Sequence, residues 1–231
     1  MSLIARSSHK LIPCLPHPHC PSPTQHTHTM TSKSGIPNRL PDIRRVVIEH
    51  GPDGRSRVRS DGPLTNIKAE AAFEGRSLIA WATDGSPAKD NNSDEDGAER
   101  RIPGLGLVPK GGTNFRYTDF APNAEAAMVR PTVWGSSLSV RELTGASQHR
   151  TASVDYNILL VGELIHTTED GDERVIKAGD IVIQRGTLHG WRNPSDTQWA
   201  RMLSVLVDGE AAVVNGQTLQ DEWRGDVKMG E

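Results

Sequence analysis

From His149 to Asn193 the sequence leaves no room for a helix, and this constrains the fold most. Apolar residues alternate or gather in short Val- and Ile-rich runs: DYNILLVGELIHTT, then RVIKAGDIVIQRG, with ARMLSVLV following at 200–207. Runs of this length and composition read as strands. EDGDE separates the first two, and its central Asp-Gly is a strong hairpin signal. Strand follows strand at short spacing, so the expectation is an all-β fold, a small antiparallel barrel or double-sheet jelly roll.

Some side chains in this stretch point to chemistry. His149, Thr151 and Asp155 are an even number of residues apart, so on a continuous strand they share a face. That face continues through Asn157, Leu159 and Val161, from polar to apolar, as in a barrel with a wet mouth and a dry floor. His189 follows the Gly186-Thr187 bend, where a loop can aim it inward. His149, Asp155 and His189 together make a candidate 2-His-1-carboxylate metal face with open positions. Gln184 and Arg185 end a strand directed at the mouth, where Arg185 reads as an ordinary surface arginine. Tyr156 faces the opposite way from Asp155, Trp191 and Trp199 read as packing residues, and His166 reads as exposed beside the hairpin turn.

The stretch resembles the two motifs of the cupin family, G-x5-H-x-H-x3-4-E-x6-G and G-x5-P-x-G-x2-H-x3-N. His149 stands at the first histidine, Asp155 at the glutamate and Gly162 at the closing glycine. Gly179, Gly186, His189 and Asn193 match the second motif. The departures are Thr151 for the second histidine, Asp for Glu, and Gln184 for the proline. The resemblance implies a single cupin β-barrel. It also implies a divalent metal, Fe(II) or Mn(II), on His149, Asp155 and His189. A metal-free site stays equally open, with Asp155 and His189 as catalytic acid and base. Across HRTxSxDY, GDxVxQRGTxHxWRN and the acidic segment near 88–97, the chain is similar to small cupin oxidoreductases of fungal polyketide pathways, including those leading to salicylaldehyde-type products. That implies a tailoring enzyme acting on a polyketide or aromatic intermediate. The alternatives are a metal-independent isomerase, dehydratase or decarboxylase, and a non-catalytic binder of small molecules.

The rest of the 231 residues divides around this stretch. Residues 1–41 contain no Asp or Glu, are rich in Pro, Ser, Thr and His, and are expected to be a disordered tail. Its CLPHPHC run superficially resembles a metal cluster, but prolines oppose a folded site. A second start at Met30 accounts simply for the tail. Residues 42–112 supply N-terminal strands, with RRVVIEH (44–50) and SRVRSDGP (56–63) as a hairpin, and an acidic loop expected to run in order over the barrel. The cupin barrel is placed at 113–210, where TNFRYTDF sets Phe115, Tyr117 and Asp119 on one side. A short strand or helical turn and a polar tail are expected at 211–231.

Both cysteines lie at or before residue 20, so the fold uses no disulfide and a reducing, cytoplasmic setting is the expectation. A net charge of −3 argues against nucleic acid, and no run approaches a membrane span. The small-cupin resemblance and the unpaired edge of RRVVIEH imply a homodimer. Residues 129–148 are expected to be an insertion or retained intron inside the barrel. Removing them leaves five residues between Asn123 and His149, which puts Asn123 at the motif's turn position, and Asn tolerates the left-handed conformation required there. If translated, the insert is expected to bulge out, with Trp134 unpocketed.

Overall fold

A computed structural model describes residues 35–65, 67–68, 74–102, 107–126 and 148–224. The expectations for CLPHPHC, Met30 and Trp134 lie outside these residues. Along the chain the strands are β1 (Arg44–His50), β2 (Ser56–Pro63), β3 (Ile67–Lys68), β4 (Gly75–Thr83), β5 (Thr113–Phe120) and β6 (Glu125–Ala126). There follow β7 (Gln148–Arg150), β8 (Ser153–Val161), β9 (Glu163–Thr168), β10 (Glu173–Lys177) and β11 (Ile181–Arg185). The last are β12 (His189–Arg192), β13 (Ala200–Asp208), β14 (Val213–Val214), β15 (Gln217–Thr218) and β16 (Glu222–Arg224). Among the described residues no helix is long and apolar enough to cross a membrane.

Two antiparallel sheets make the body. One runs β11-β8-β13-β5-β4-β3, the other β10-β9-β12-β7-β16, with β6 also on β12. Their inner faces close on Phe120, Leu159, Ala200 and Met202 from the first sheet and Leu164 and Trp191 from the second. This is the double-sheet jelly roll. Period-two alternation explains the inner face: β8 buries Ser153, Asp155, Asn157 and Leu159 and leaves Tyr156 and Leu160 exposed. Val161 departs from the expected inward row and is exposed. The register of β8 with β13 slips between Arg201 and Met202, so Leu160 is an extra residue and parity inverts after it.

Motif residues shape the corners. Gly162 has φ 83°, and a Cβ there would stand 2.9 Å from the Ala200 Cβ, so only glycine fits the turn. Asn193 is a clasp: its Nδ2 donates to the carbonyls of Phe120, Ala121 and Gln198 at 2.8–3.2 Å.

The outer face of β5 is covered from the N-terminal side. Asp119 there takes Arg76 at 2.6 Å and two nitrogens of Arg201 at 2.6 and 2.8 Å. Those cations hold its carboxyl below the usual range, although burial opposes the shift. Asn38 and the Pro41 carbonyl join this cluster, which clips residues 38–41 to the barrel. The acidic segment is tied down by its own contacts: Asp96 pairs with Arg45, Asp90 with Arg100 and the Trp81 indole, and Ala98 is buried. Of the short strand or helical turn expected in the C-terminal region, the structure shows strands, and β16 pairs with β7 and completes the second sheet.

Candidate active site

Between the two sheets lies a cavity whose wall includes His149, His189 and Trp191 from the second sheet. The first sheet contributes Arg116, Asp155, Asn157 and Gln184. All three residues expected at the site therefore face one space. Each is at least nine-tenths buried.

They do not meet as the even spacing suggested. That argument assumed one strand through 149–155, whereas the chain bends at Thr151–Ala152 and passes from β7 in one sheet to β8 in the other. His149 and His189 are register partners across β7 and β12, with ring centroids 4.2 Å apart. Asp155 stands on the other sheet beside Gln184, its partner across β8 and β11. Thr151, where the family motif has its second histidine, instead bonds Ser153 at 2.8 Å, and Ser153 Oγ donates to Asp155 at 2.6 Å. Among the described residues no group of three His, Cys, Asp or Glu side chains is placed to hold a metal ion. The expected Fe(II) or Mn(II) set of His149, Asp155 and His189 thus does not fit as a ligand cage. Its carboxylate belongs to a hydroxyl relay on the opposite sheet.

The electrostatics of the wall follow from burial. Desolvation raises Asp155 to about 6, against the Ser153 hydrogen bond and the charge of Arg116. Burial lowers His189 to about 4; the Thr187 carbonyl works against this shift and His166 adds to it. His149 lies well below its ordinary value, through burial first and then through His189 and Arg116. Near neutral pH the cavity therefore holds two uncharged imidazoles and one carboxyl poised to exchange a proton. A carbonyl only accepts, so the 2.9 Å contact of His189 Nδ1 with Thr187 makes Nδ1 the protonated nitrogen and Nε2 the free acceptor.

Two contributors escaped the sequence reading. His166 was expected to be exposed, but it is half-buried in β9, 5.9 Å from the His189 ring and edge-on to Trp191 at 4.8 Å. Its even spacing from the buried Leu164 was the available signal. Arg116 lies on the face of TNFRYTDF opposite Phe115, Tyr117 and Asp119. It shares its parity with Asn114, Thr118 and Phe120, and it bonds the Ser77 hydroxyl. Arg185 is exposed, as expected, and Gln184 is buried.

No family model matches the chain. It is 33% identical over 195 residues to oryzines biosynthesis cluster protein J of Aspergillus oryzae, covering 82% of this chain and 95% of that protein. It is 29% identical over 184 residues to the cupin-domain-containing oxidoreductase fogC of Aspergillus ruber, covering 78% and 80%. The chain belongs to this cupin family. Among solved structures, an ethanolamine utilization protein Q from Salmonella typhimurium aligns over 74% of this chain and 100% of its own, at 13% identity and a TM-score of 0.38. Membership accords with the double-sheet architecture and with the motif glycines Gly162, Gly179 and Gly186, which all have positive φ.

Proposed function

We propose that this cupin is a tailoring enzyme of fungal secondary metabolism that moves a proton on a small polyketide or aromatic intermediate. Asp155 is the acid–base group, and neutral His189 faces it as proton partner. One observation carries the reading: a buried carboxyl raised to about 6 shares a cavity between the sheets with an imidazole whose free nitrogen is an acceptor. A base works best with its pKa near the operating pH. The class of step that fits is removal and return of a proton beside a carbonyl, as in isomerisation or dehydration. Asp155 takes the proton from carbon, the C–H pair becomes a carbon–carbon double bond, and the carbonyl π pair moves onto oxygen.

The test is hydrogen–deuterium exchange at the methyl group of acetophenone in D2O, followed by NMR. Exchange above buffer that vanishes in Asp155→Asn supports the reading; exchange equal in both proteins ends it. Oxidoreduction is a second reading, supported by the names of relatives such as the oxidoreductase fogC. It predicts product two hydrogens lighter or heavier by mass spectrometry. A binder would retain ligand with neither change. The enzyme works as a homodimer in the cytoplasm, a reading supported by an N-terminal hairpin with exposed valine and isoleucine and by the lack of cysteine beyond residue 20.

A further inference from the structure

The polar wall of the cavity has a direction. Ser204 Oγ donates to Asn157 Oδ1 at 2.6 Å, and Asn157 Nδ2 donates to Gln184 Oε1 at 2.9 Å. The same Nδ2 reaches the Val182 carbonyl at 3.5 Å. A backbone carbonyl offers only lone pairs, so it fixes which end of the Asn157 amide is the amino group. Asn157 in turn fixes Gln184, turning its carbonyl toward Asn157 and its amino group away. Gln184 Nε2 is then the free end of the chain, buried and without a hydrogen-bond partner. Gln184 itself is 4% exposed and lines the cavity. A buried donor with no acceptor is rare in folded proteins and calls for an explanation.

Its neighbours supply one. Gln184 stands opposite Asp155 across β8 and β11, so the two side chains leave adjacent points on the same inner face. Arg116 also lines the cavity, and its charge reaches both Asp155 and His149. The wall therefore offers an amide donor and positive charge next to one proton acceptor. A ligand complementary to it has an acceptor oxygen and, on the carbon next to the one bearing that oxygen, an acidic hydrogen.

We propose that Gln184 is the specificity-determining residue of the site, its Nε2–H group receiving the carbonyl oxygen of the substrate while Asp155 addresses the neighbouring carbon. The substrate class is then ketones and aldehydes with a removable hydrogen beside the carbonyl. When Asp155 takes that proton, the C–H pair forms a carbon–carbon double bond and the carbonyl π pair moves to oxygen. The resulting enolate oxygen lies on the Gln184 donor within the field of Arg116. Return of the proton from Asp155 restores the carbonyl, with no oxidant or reductant. Gln184 stands where the general cupin motif has proline, so this donor is not a feature of cupins at large. The assignment rests on the proton-transfer reading of Asp155, but it is measured by binding alone.

The test uses the full chain, with acetophenone and its oxygen-free analogue ethylbenzene as probes. Titration followed by NMR gives both affinities, and infrared difference spectra give the carbonyl stretch of bound acetophenone. The expectation is that acetophenone binds about tenfold tighter than ethylbenzene, with its carbonyl stretch moved to lower frequency. Gln184→Met keeps the volume and removes the donor, which should abolish both the preference and the shift. Gln184→Glu keeps an acceptor for Asn157 and, once ionised, offers oxygen where nitrogen stood. It should lose acetophenone but keep ethylbenzene, which guards against a fold defect in either variant. An unshifted carbonyl, a preference that survives Gln184→Met, or no binding of acetophenone overturns the assignment. Acetophenone exchange that needs Asp155 but ignores Gln184 would sink this inference and leave the proton-transfer reading standing. A donor-dependent shift without exchange would do the reverse.

Discussion

Asp155 sets the chemistry and the stability of the site against each other. Its folded value of about 6 lies above the ~3.9 of an unfolded aspartate, so the folded chain holds the proton more tightly. Its contribution to stability is therefore full below about pH 4 and is lost as pH rises through about 6. By linkage the cost of ionising it in place is on the order of 2–3 kcal/mol. Asp155→Asn should recover much of this above pH 7, seen as a higher Tm at pH 8 and little gain at pH 4. The same change should reduce proton exchange by roughly 10²–10⁴-fold. In the wild-type protein, kcat/KM for exchange should rise with pH and level off above an apparent pKa near 6. His189 stays neutral across that range, because burial has lowered it to about 4. The metal question is decided at these side chains too. With Asp155 bound to Ser153 on one sheet and the imidazole pair on the other, stoichiometric Fe or Mn is not expected in purified protein, and chelation should leave exchange unchanged. Iron or manganese at one per chain, lost in His149→Ala, would show that the ligands rearrange around an ion.

At the scale of strands, β6 and β7 are two pieces of one. β9 occupies one edge of β12, and both β6 and β7 lie along the other. Ala126 faces Trp191 and His149 faces His189, so only the place opposite Gly190 separates them along β12. Joining Met128 to His149 leaves a single surplus residue there, the size of a β-bulge. Asn123 has φ 58°, the left-handed turn that the rejoined motif requires. A chain lacking residues 129–148 should therefore fold with a Tm equal to or above that of the full chain and keep its exchange activity. A mature transcript that still encodes Val129 to Gln148, in an active protein, would refute their status as a retained intron. The same elements mark what the sequence could reveal. Alternation in 153–159 and the glycine pattern made the jelly roll and its inward residues readable, because both are local. The sheet change at Thr151–Ala152 was not readable, since spacing alone cannot distinguish one strand from two. His149 and Asp155 thus line one cavity, but from two sheets rather than from one face of a single strand. Gln184 was visible only as a departure from the motif, and its role depends on Asn157 and Ser204, which three different strands bring together.

At the scale of the whole molecule, two apolar surfaces stand uncovered among the described residues. Among the described residues β1 and β2 pair only with each other, and a lone two-stranded ribbon is marginal in water. Its outer side carries Val46, Ile48 and Val58, with Ile48 and Val58 in register and nearly 60% exposed. The second surface is the outer face of the first sheet at β11, β8 and β13. There Ile183, Tyr156 and Val205 form one cross-strand row, and Ile181, Ile158 and Leu203 the next. The corresponding face of β4 and β5 is already covered by Leu64, Ile43 and Ala98, so the bare half is a matching surface without its cover. A second copy supplies that cover if each hairpin lies over the bare rows of its partner, an isologous arrangement that buries both surfaces at once. Light scattering should then give twice the chain mass. Ile48→Asp on the hairpin and Ile183→Asp on the sheet should each produce monomers, although the two residues belong to different surfaces. If the hairpins merely paired with each other, Ile183→Asp would leave the dimer intact. A wild-type monomer at high concentration would remove the arrangement altogether. Since neither residue lines the cavity, acetophenone binding should survive in both monomeric variants, separating the role of the assembly from that of the site.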